Sequence, residues 1–324
     1  MDQDYATVRC LITEQELAEQ LVASFEGGYL PEKFFYWTPL SVKAWLDLCT
    51  DGAYRNYIRS LSLIERCASR WFRSHLEPAG EIVLVSLGSG QGDKDLVLLN
   101  ALREMGRSAH YMAVDTSQSL LEIALNRAIA NGFPARGVKA DLGADATWGV
   151  LESEARGVRR IFCLLGNTIG AFGPESLIRS LSATARAGDL VLVDGEIIRD
   201  QTMSGYDNPL NRRFAFAPLA AAGINEQDGT VVFHLSRSEE LTGVWRLSKY
   251  FEPTRDVTLS IGGVHLAMRA GSRLQMSCSL KFEPAALGNT IRTALFEIEE
   301  TATSDDGGFE MLLVRRCERT RGAF

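Results

Sequence analysis

Gly88, Gly90 and Gly92 stand at alternate positions directly after the apolar run Glu81-Ile82-Val83-Leu84-Val85-Ser86-Leu87. A backbone without Cβ atoms turns sharply there and comes close to a ligand that any side chain would hold away. Two acidic residues occupy matching places further on: Asp115 ends Tyr111-Met112-Ala113-Val114, and Asp141 follows Val138-Lys139-Ala140. Carboxylates at the ends of parallel strands face the crevice in which open α/β sheets bind ligands. Asp115 is suited to accept both hydroxyls of a ribose, and Asp141 to receive the amino hydrogens of an adenine while Leu142 donates its backbone N–H to the ring. The other reading of either aspartate is a helix N-cap. All three features at consecutive strand ends point to a nucleoside-like ligand.

The elements that must position these groups follow from hydrophobic periodicity. Strands are expected at 81–87, 110–115, 136–140, 160–165 and 189–196, separated by amphipathic stretches at 94–105, 117–130, 146–155 and 174–187. Repeated strand–helix units predict an α/β fold with a parallel sheet covered on both faces. Before it, residues 13–76 read as helical, with Leu17, Leu21, Val22 and Phe25 at three- and four-residue spacing. After it, a helical stretch around 214–222 leads to strands at 231–236, 243–251, 256–261, 264–270 and 273–282 with no helix between them, an antiparallel insertion with Gly262-Gly263 as a hairpin turn. A short helix at 284–292 and strands at 294–303 and 309–316 are expected to return to the first sheet as an edge hairpin.

Three readings compete for Gly88-Ser89-Gly90-Gln91-Gly92-Asp93. A dinucleotide fingerprint wants its third glycine at 93, where this chain has Asp93. A phosphate-binding P-loop is excluded because no Gly-Lys-Ser/Thr follows. The remaining reading is the turn that binds S-adenosylmethionine in the commonest methyltransferase fold.

Bulk composition narrows the partners. A net charge of −7 with no compensating basic block argues against nucleic acid. No apolar run reaches the roughly 18 residues needed to span a bilayer, and the start Met1-Asp2-Gln3-Asp4 is acidic where a signal peptide is basic, so no membrane partner and a cytoplasmic location are expected. The six cysteines lie far apart with no C-x-x-C pair, and the four histidines are scattered, so reduced thiols and no bound metal are expected.

With the fourth expected strand the pattern becomes more specific. Arg160-Ile161-Phe162-Cys163-Leu164-Leu165 runs into Gly166-Asn167-Thr168-Ile169-Gly170-Ala171-Phe172-Gly173-Pro174-Glu175, which resembles the G-S/N-T-I-G-N-F-x-P-E segment of the histidine-specific methyltransferase family, to which the ergothioneine-pathway histidine N-methyltransferase belongs. The resemblance extends to Leu30-Pro31-Glu32-Lys33-Phe34-Phe35-Tyr36, to Leu87-Gly88-Ser89-Gly90 with Lys94, to Asp189-Leu190-Val191-Leu192-Val193-Asp194, to Tyr206-Asp207 and to Ser279-Leu280-Lys281-Phe282. It implies a Rossmann-like methyltransferase core binding S-adenosylmethionine and an α+β substrate subdomain made from the N-terminal helices and the β-rich insertion. In that arrangement 1–76 and 197–280 form the substrate subdomain, while 77–196 and 281–324 form the core. It further implies Gly88, Ser89, Gly90, Lys94, Asp115, Asp141, Leu142, Gly166 and Asn167 as cofactor-binding, Tyr36 at the border of cofactor and acceptor, and Tyr206 and Gly170 on the acceptor side.

Two positions depart from the family's histidine enzymes. Ala171 stands where they hold the amino-acid backbone with an asparagine, and Ser277 and Ser279 stand where a glutamate and a serine grip the imidazole. Strand period two puts Ser277 and Ser279 on one face, pointing into one pocket without a carboxylate. Loss of an acceptor that the substrate needs costs several kcal/mol of discrimination, so a small amino-acid-derived amine other than histidine is the expected acceptor. Tyr36 is the expected catalytic residue, orienting the nucleophile. An O- or heteroaromatic N-methyltransferase, a non-catalytic cofactor binder, and a nicotinamide-dependent oxidoreductase disfavoured by Asp93 are the alternatives.

Overall fold

A computed structural model of the chain describes residues 6–317 apart from 53, 78–79 and 155–156; the acidic start Met1-Asp2-Gln3-Asp4 and Ala155 lie outside the described residues. The chain begins with β1 (Thr7–Cys10), α1 (Glu14–Glu26), β2 (Tyr29–Leu30), a 3-10 turn (Glu32–Phe35), α2 (Pro39–Thr50) and α3 (Arg55–His75). Strand–helix units follow: β3 (Glu81–Leu87), α4 (Asp93–Glu104), β4 (Ser108–Asp115), α5 (Gln118–Ala130), β5 (Ala135–Lys139), α6 (Asp145–Ser153), β6 (Arg159–Leu164), α7 (Pro174–Thr184) and β7 (Leu190–Glu196). Then come α8 (Thr202–Tyr206), α9 (Pro209–Ala221), β8 (Gly229–Arg237), β9 (Val244–Pro253), β10 (Val257–Ile261), β11 (Val264–Met268), β12 (Leu274–Phe282), α10 (Ala286–Arg292), β13 (Phe296–Thr303) and β14 (Phe309–Arg316).

The main sheet has eight strands in the order β1-β5-β4-β3-β6-β7-β14-β13. The pairs from β1 to β7 are parallel, while β14 and β13 close the edge antiparallel. It is the mostly parallel α/β core expected from the strand–helix rhythm, with the expected C-terminal edge hairpin. Alternate residues of β3 explain its unbroken apolar run: Val83, Val85 and Leu87 enter one hydrophobic core, Ile82 and Leu84 the other. The chain leaves β3 first toward β4 and β5, then crosses to β6 and β7, so the order reverses beside β3, where a crevice opens at the carboxyl ends of the strands.

A third core lies outside this sheet. Leu17 and Leu21 of α1, Phe34 and Phe35 of the 3-10 turn, Phe214 of α9 and Met276 of β12 share it. Its sheet runs β2-β12-β9-β8, and β10 and β11 form the separate hairpin read from Gly262-Gly263. Within the stretch 1–76, β1 was not read from sequence; it pairs in parallel with β5. Helix α3 packs Leu63, Ile64, Trp71 and Phe72 into the core that holds Ile82 and Leu84. Only α1, β2, the 3-10 turn and α2 therefore stand with the third core, because the long apolar stripe of α3 matches the larger open sheet face.

Candidate cofactor and acceptor site

The glycine turn bends in the way its residues allow: φ is +72° at Gly88, +54° at Gly90 and +77° at Gly92. A Cβ on Gly92 would lie 2.9 Å from the Ala124 Cβ of α5, so this position admits no side chain. The N–H of Gly90 donates to Asp115 Oδ2 at 2.9 Å, and the N–H of Ser117 to Oδ1 at 2.9 Å. Ser117 is the N-cap of α5 and Ala144 occupies that place before α6, so neither aspartate is a cap. Each instead takes the backbone N–H two residues on, Asp141 Oδ1 receiving that of Gly143 at 2.8 Å. Both carboxylates line one cavity that also meets Ser89, Lys94, Leu142, Gly166 and Asn167. Burial raises the Asp115 pKa, and the N–H groups of Ser117 and Gly90 oppose that rise. A carboxylate offers about four acceptor positions, so beyond the N–H groups of Ser117, Gly90 and Thr116 the Asp115 carboxylate keeps room for a further donor.

Lys94 reaches the tip of β6, where a Cβ on Gly166 would come 2.5 Å from its Nζ. Its ammonium stands 5.5 Å from the centre of the Tyr57 ring and has no hydrogen-bond partner among the described residues. An unpaired cation, a side-chain-free cradle and two strand-end carboxylates fit the carboxylate, ribose and adenine of S-adenosylmethionine. Lys33, from the turn after β2, pairs with Asp141 Oδ2 at 2.6 Å and donates to Gln20 Oε1 at 2.5 Å, tying the third core to the adenine end. Beneath the turn, Asp95 accepts Tyr111 Oη at 2.6 Å and Ser86 Oγ at 2.9 Å, and burial pushes its pKa up to about 6. No sequence signal separated Asp95 from an ordinary first-turn helix aspartate.

The same cavity continues between the two bodies. Tyr36, Trp45 and Phe214 form its wall there, ring centres 5.2–5.7 Å apart, and Phe233 joins them. Tyr36 Oη donates to Glu32 Oε1 at 3.3 Å, and Glu32 Oε2 faces Lys249 Nζ at 3.4 Å. Burial holds the Tyr36 phenol well above its usual pKa, with the Glu32 charge adding to the rise. Tyr206 Oη donates to Glu196 Oε2 at 2.6 Å and accepts from Asn56 Nδ2 at 2.8 Å and Lys281 Nζ at 2.7 Å. One donor and two acceptor positions are all a phenol has, so Tyr206 offers the cavity only its ring.

Several expected residues sit elsewhere than the strand and turn patterns placed them. Gly90, Gly170 and Ser277 are not on the cavity wall. Gly90 spends its N–H on Asp115, and a Cβ on Gly170 would press within 2.7 Å of the Leu280 carbonyl oxygen, so that glycine serves packing against β12. Ser277 and Ser279 do not share a face, because the register against β9 shifts between Met276 and Cys278 and Ser277 takes φ +55°. A bulge of this kind breaks the period-two rule. Ser277 is fully buried and its hydroxyl lacks a partner among the described residues, whereas Ser279 reaches the wall and accepts from Asn167 and Lys281. Asn167 lines the cavity but uses its side chain on Ser279, the Leu280 carbonyl and the Glu196 N–H. Ala171 lines the wall without a polar group. Glu32 lay inside the quoted Leu30–Tyr36 segment, four residues before Tyr36, whereas nothing in the sequence pointed to Lys249.

Comparison with known proteins identifies the family. The family described as "Histidine-specific methyltransferase, SAM-dependent" matches residues 13–316. The chain is 28% identical over 248 residues to the histidine N-alpha-methyltransferase of Mycobacterium tuberculosis, covering 72% of this chain and 75% of that protein. It is 23% identical over 295 residues to the N-methyltransferase imqF of Aspergillus flavus, covering 84% and 77%. Among solved structures, an S-adenosylmethionine-dependent methyltransferase from Clostridium acetobutylicum aligns over 81% of this chain and 92% of its own, at 11% identity and a TM-score of 0.42. The chain belongs to the histidine-specific, S-adenosylmethionine-dependent methyltransferase family and is a methyltransferase with that cofactor.

Proposed function

We propose that this member of the histidine-specific methyltransferase family methylates the nitrogen of a small amino-acid-derived amine other than histidine. The observation that carries the reading is the wall of the acceptor half: Ala171 stands there without an amide, and Ser277 is turned out of it. Both positions are therefore without the groups by which the family's histidine enzymes hold their substrate. A free Lys94 ammonium and the Asp115 and Asp141 carboxylates support the assignment of the cofactor half.

S-adenosylmethionine, when bound, supplies a methyl group already activated by the positive sulfur. What the chain adds is alignment and exclusion of water: an amine lone pair must lie in line with the bond to be broken, roughly 3 Å away. Tyr36, Trp45 and Phe214 form the apolar side of that space. The amine arrives protonated and must lose its proton first. With a raised pKa the Tyr36 phenol stays neutral, so it orients the amine, and the Glu32 carboxylate that accepts its hydrogen bond takes the amine's proton through the phenol.

The test is incubation of the full chain with S-adenosylmethionine and a panel of amines that includes histidine, followed by mass spectrometry for gains of one methyl group. A panel amine is expected to exceed histidine by at least about 10-fold in kcat/KM, the scale of one lost hydrogen bond to a charged group. Histidine as the best acceptor would sink the reading.

A further inference from the structure

We propose that Lys249 docks an anionic group of the acceptor, so that the methylated amine also carries a carboxylate or a similar oxyanion; this rests on the N-methyltransferase reading above. Lys249 lies on β9 between Phe233 of β8 and Met276 of β12, and it lines the acceptor half of the cavity with Phe233. Its side chain is 6% exposed. An ammonium withdrawn from water costs several kcal/mol unless its charge and its donors are met.

Those donors are poorly met. The one ionic contact of Lys249, with Glu32, spans 3.4 Å, whereas a charge-assisted bond closes to about 2.7–2.9 Å. Glu32 is shared, since its other oxygen takes the Tyr36 hydroxyl. The remaining neighbours of the ammonium are ring faces, Phe35 at 4.4 Å and Phe214 at 5.6 Å from the ring centres. An ammonium carries three donors, and Lys249 has no further hydrogen-bond partner among the described residues.

Lys281 is the internal control. It is buried still more deeply, yet it reaches Glu196 at 2.8 Å, Tyr206 at 2.7 Å and Ser279 at 2.8 Å, which uses every donor. Lys94 is unpaired among the described residues as well, but it projects from α4 beside Gly166, in the half of the cavity assigned above to the cofactor. Lys249 is left as a cation with spare donors on the acceptor side, and the cavity is the direction from which an oxyanion reaches it.

The experiment supplies the full chain with methyl-labelled S-adenosylmethionine and a metabolite extract split on an anion exchanger at about pH 11, where amines are neutral and carboxylates keep their charge. Label is expected in acceptors from the retained, anion-bearing fraction. For the acceptor found there, Lys249→Met is expected to raise KM about 10- to 100-fold, the worth of a hydrogen bond to a charged group. S-adenosylhomocysteine affinity is expected to stay as in the wild type, and Lys249→Arg to recover part of the loss. A paired measurement uses that acceptor's neutral analogue, its ester or decarboxylated form, whose poor turnover is expected to be the same in Lys249→Met and wild type. Label confined to unretained amines, or equal losses by Lys249→Met on both members of the pair, overturns the role of Lys249 while leaving methyl transfer intact. No label in any fraction, together with no S-adenosylhomocysteine binding, overturns the methyltransferase reading and the proposal with it.

Discussion

The two halves of the cavity are built from different material. In the cofactor half, backbone does the shaping: three left-handed glycines, and two aspartates pinned by N–H groups two residues further on. In the acceptor half, side chains do it, and they come from places far apart, with Glu32 and Lys249 separated by 217 positions and Tyr206 and Asn56 by 150. The first half is made of features each local to its own strand end. A ligand that varies is held by groups that can be exchanged singly without disturbing a turn. The difference predicts that changes in the first half act on cofactor affinity, and that changes in the buried network behind the second half act on stability.

The largest expected effect tests the second statement. Lys281→Met leaves the buried Glu196 carboxylate without its cation, although Tyr206 and Asn56 still donate to it. Breaking a buried pair in this way costs about 3–5 kcal/mol, to be read from urea unfolding, with S-adenosylhomocysteine affinity unchanged in the folded protein. A variant as stable as the wild type would show that the network is not what holds this side together.

Asp115→Ala comes next. It removes the carboxylate that lines the cavity and fixes the Gly90 N–H, so affinity for S-adenosylhomocysteine is expected to fall by about 100-fold, or about 3 kcal/mol, in calorimetry. Unaltered affinity, or a loss of stability as large as that of Lys281→Met, would erase the contrast between the halves.

The smallest effect sharpens the comparison through pH. Asp95 titrates at about 6 in the fold against an ordinary 3.8, so the native state keeps a proton that the unfolded chain releases first. Its favourable contribution is complete below pH 4, is lost as pH rises through about 6, and then stays level, a fall of roughly 2–3 kcal/mol. Asp95→Asn removes the titrating group, so unfolding midpoints measured from pH 4 to 7 should fall less steeply for the variant. Parallel curves would mean that Asp95 ionises as an exposed carboxylate does.

Strand β3, the glycine turn and the positions of Asp115 and Asp141 were legible because each rests on local rules: a run buried on two faces, a turn that tolerates no Cβ, and a carboxylate at a strand end. Strand β1 escaped because its four residues are mostly exposed and carry no alternation long enough to see. Ser277 was misplaced because alternation assumes an unbroken strand, and the register against β9 shifts at this residue. The saturation of the Tyr206 hydroxyl depends on Asn56, Glu196 and Lys281, which share no sequence window.

What the amino-acid sequence determined by itself is therefore the α/β core, the family, the glycine turn and the strand-end places of Asp115 and Asp141, since propensity, periodicity and glycine geometry act within a few residues. What only the tertiary structure decided is which cations are spent and which are free. Charge and hydrogen-bond satisfaction depend on distances of about 3 Å between groups that the chain brings together only when its separate hydrophobic cores have packed. Lys281 and Lys249 are the same residue type on neighbouring strands, and it is the packing around each that makes one a strut and leaves the other with donors to offer.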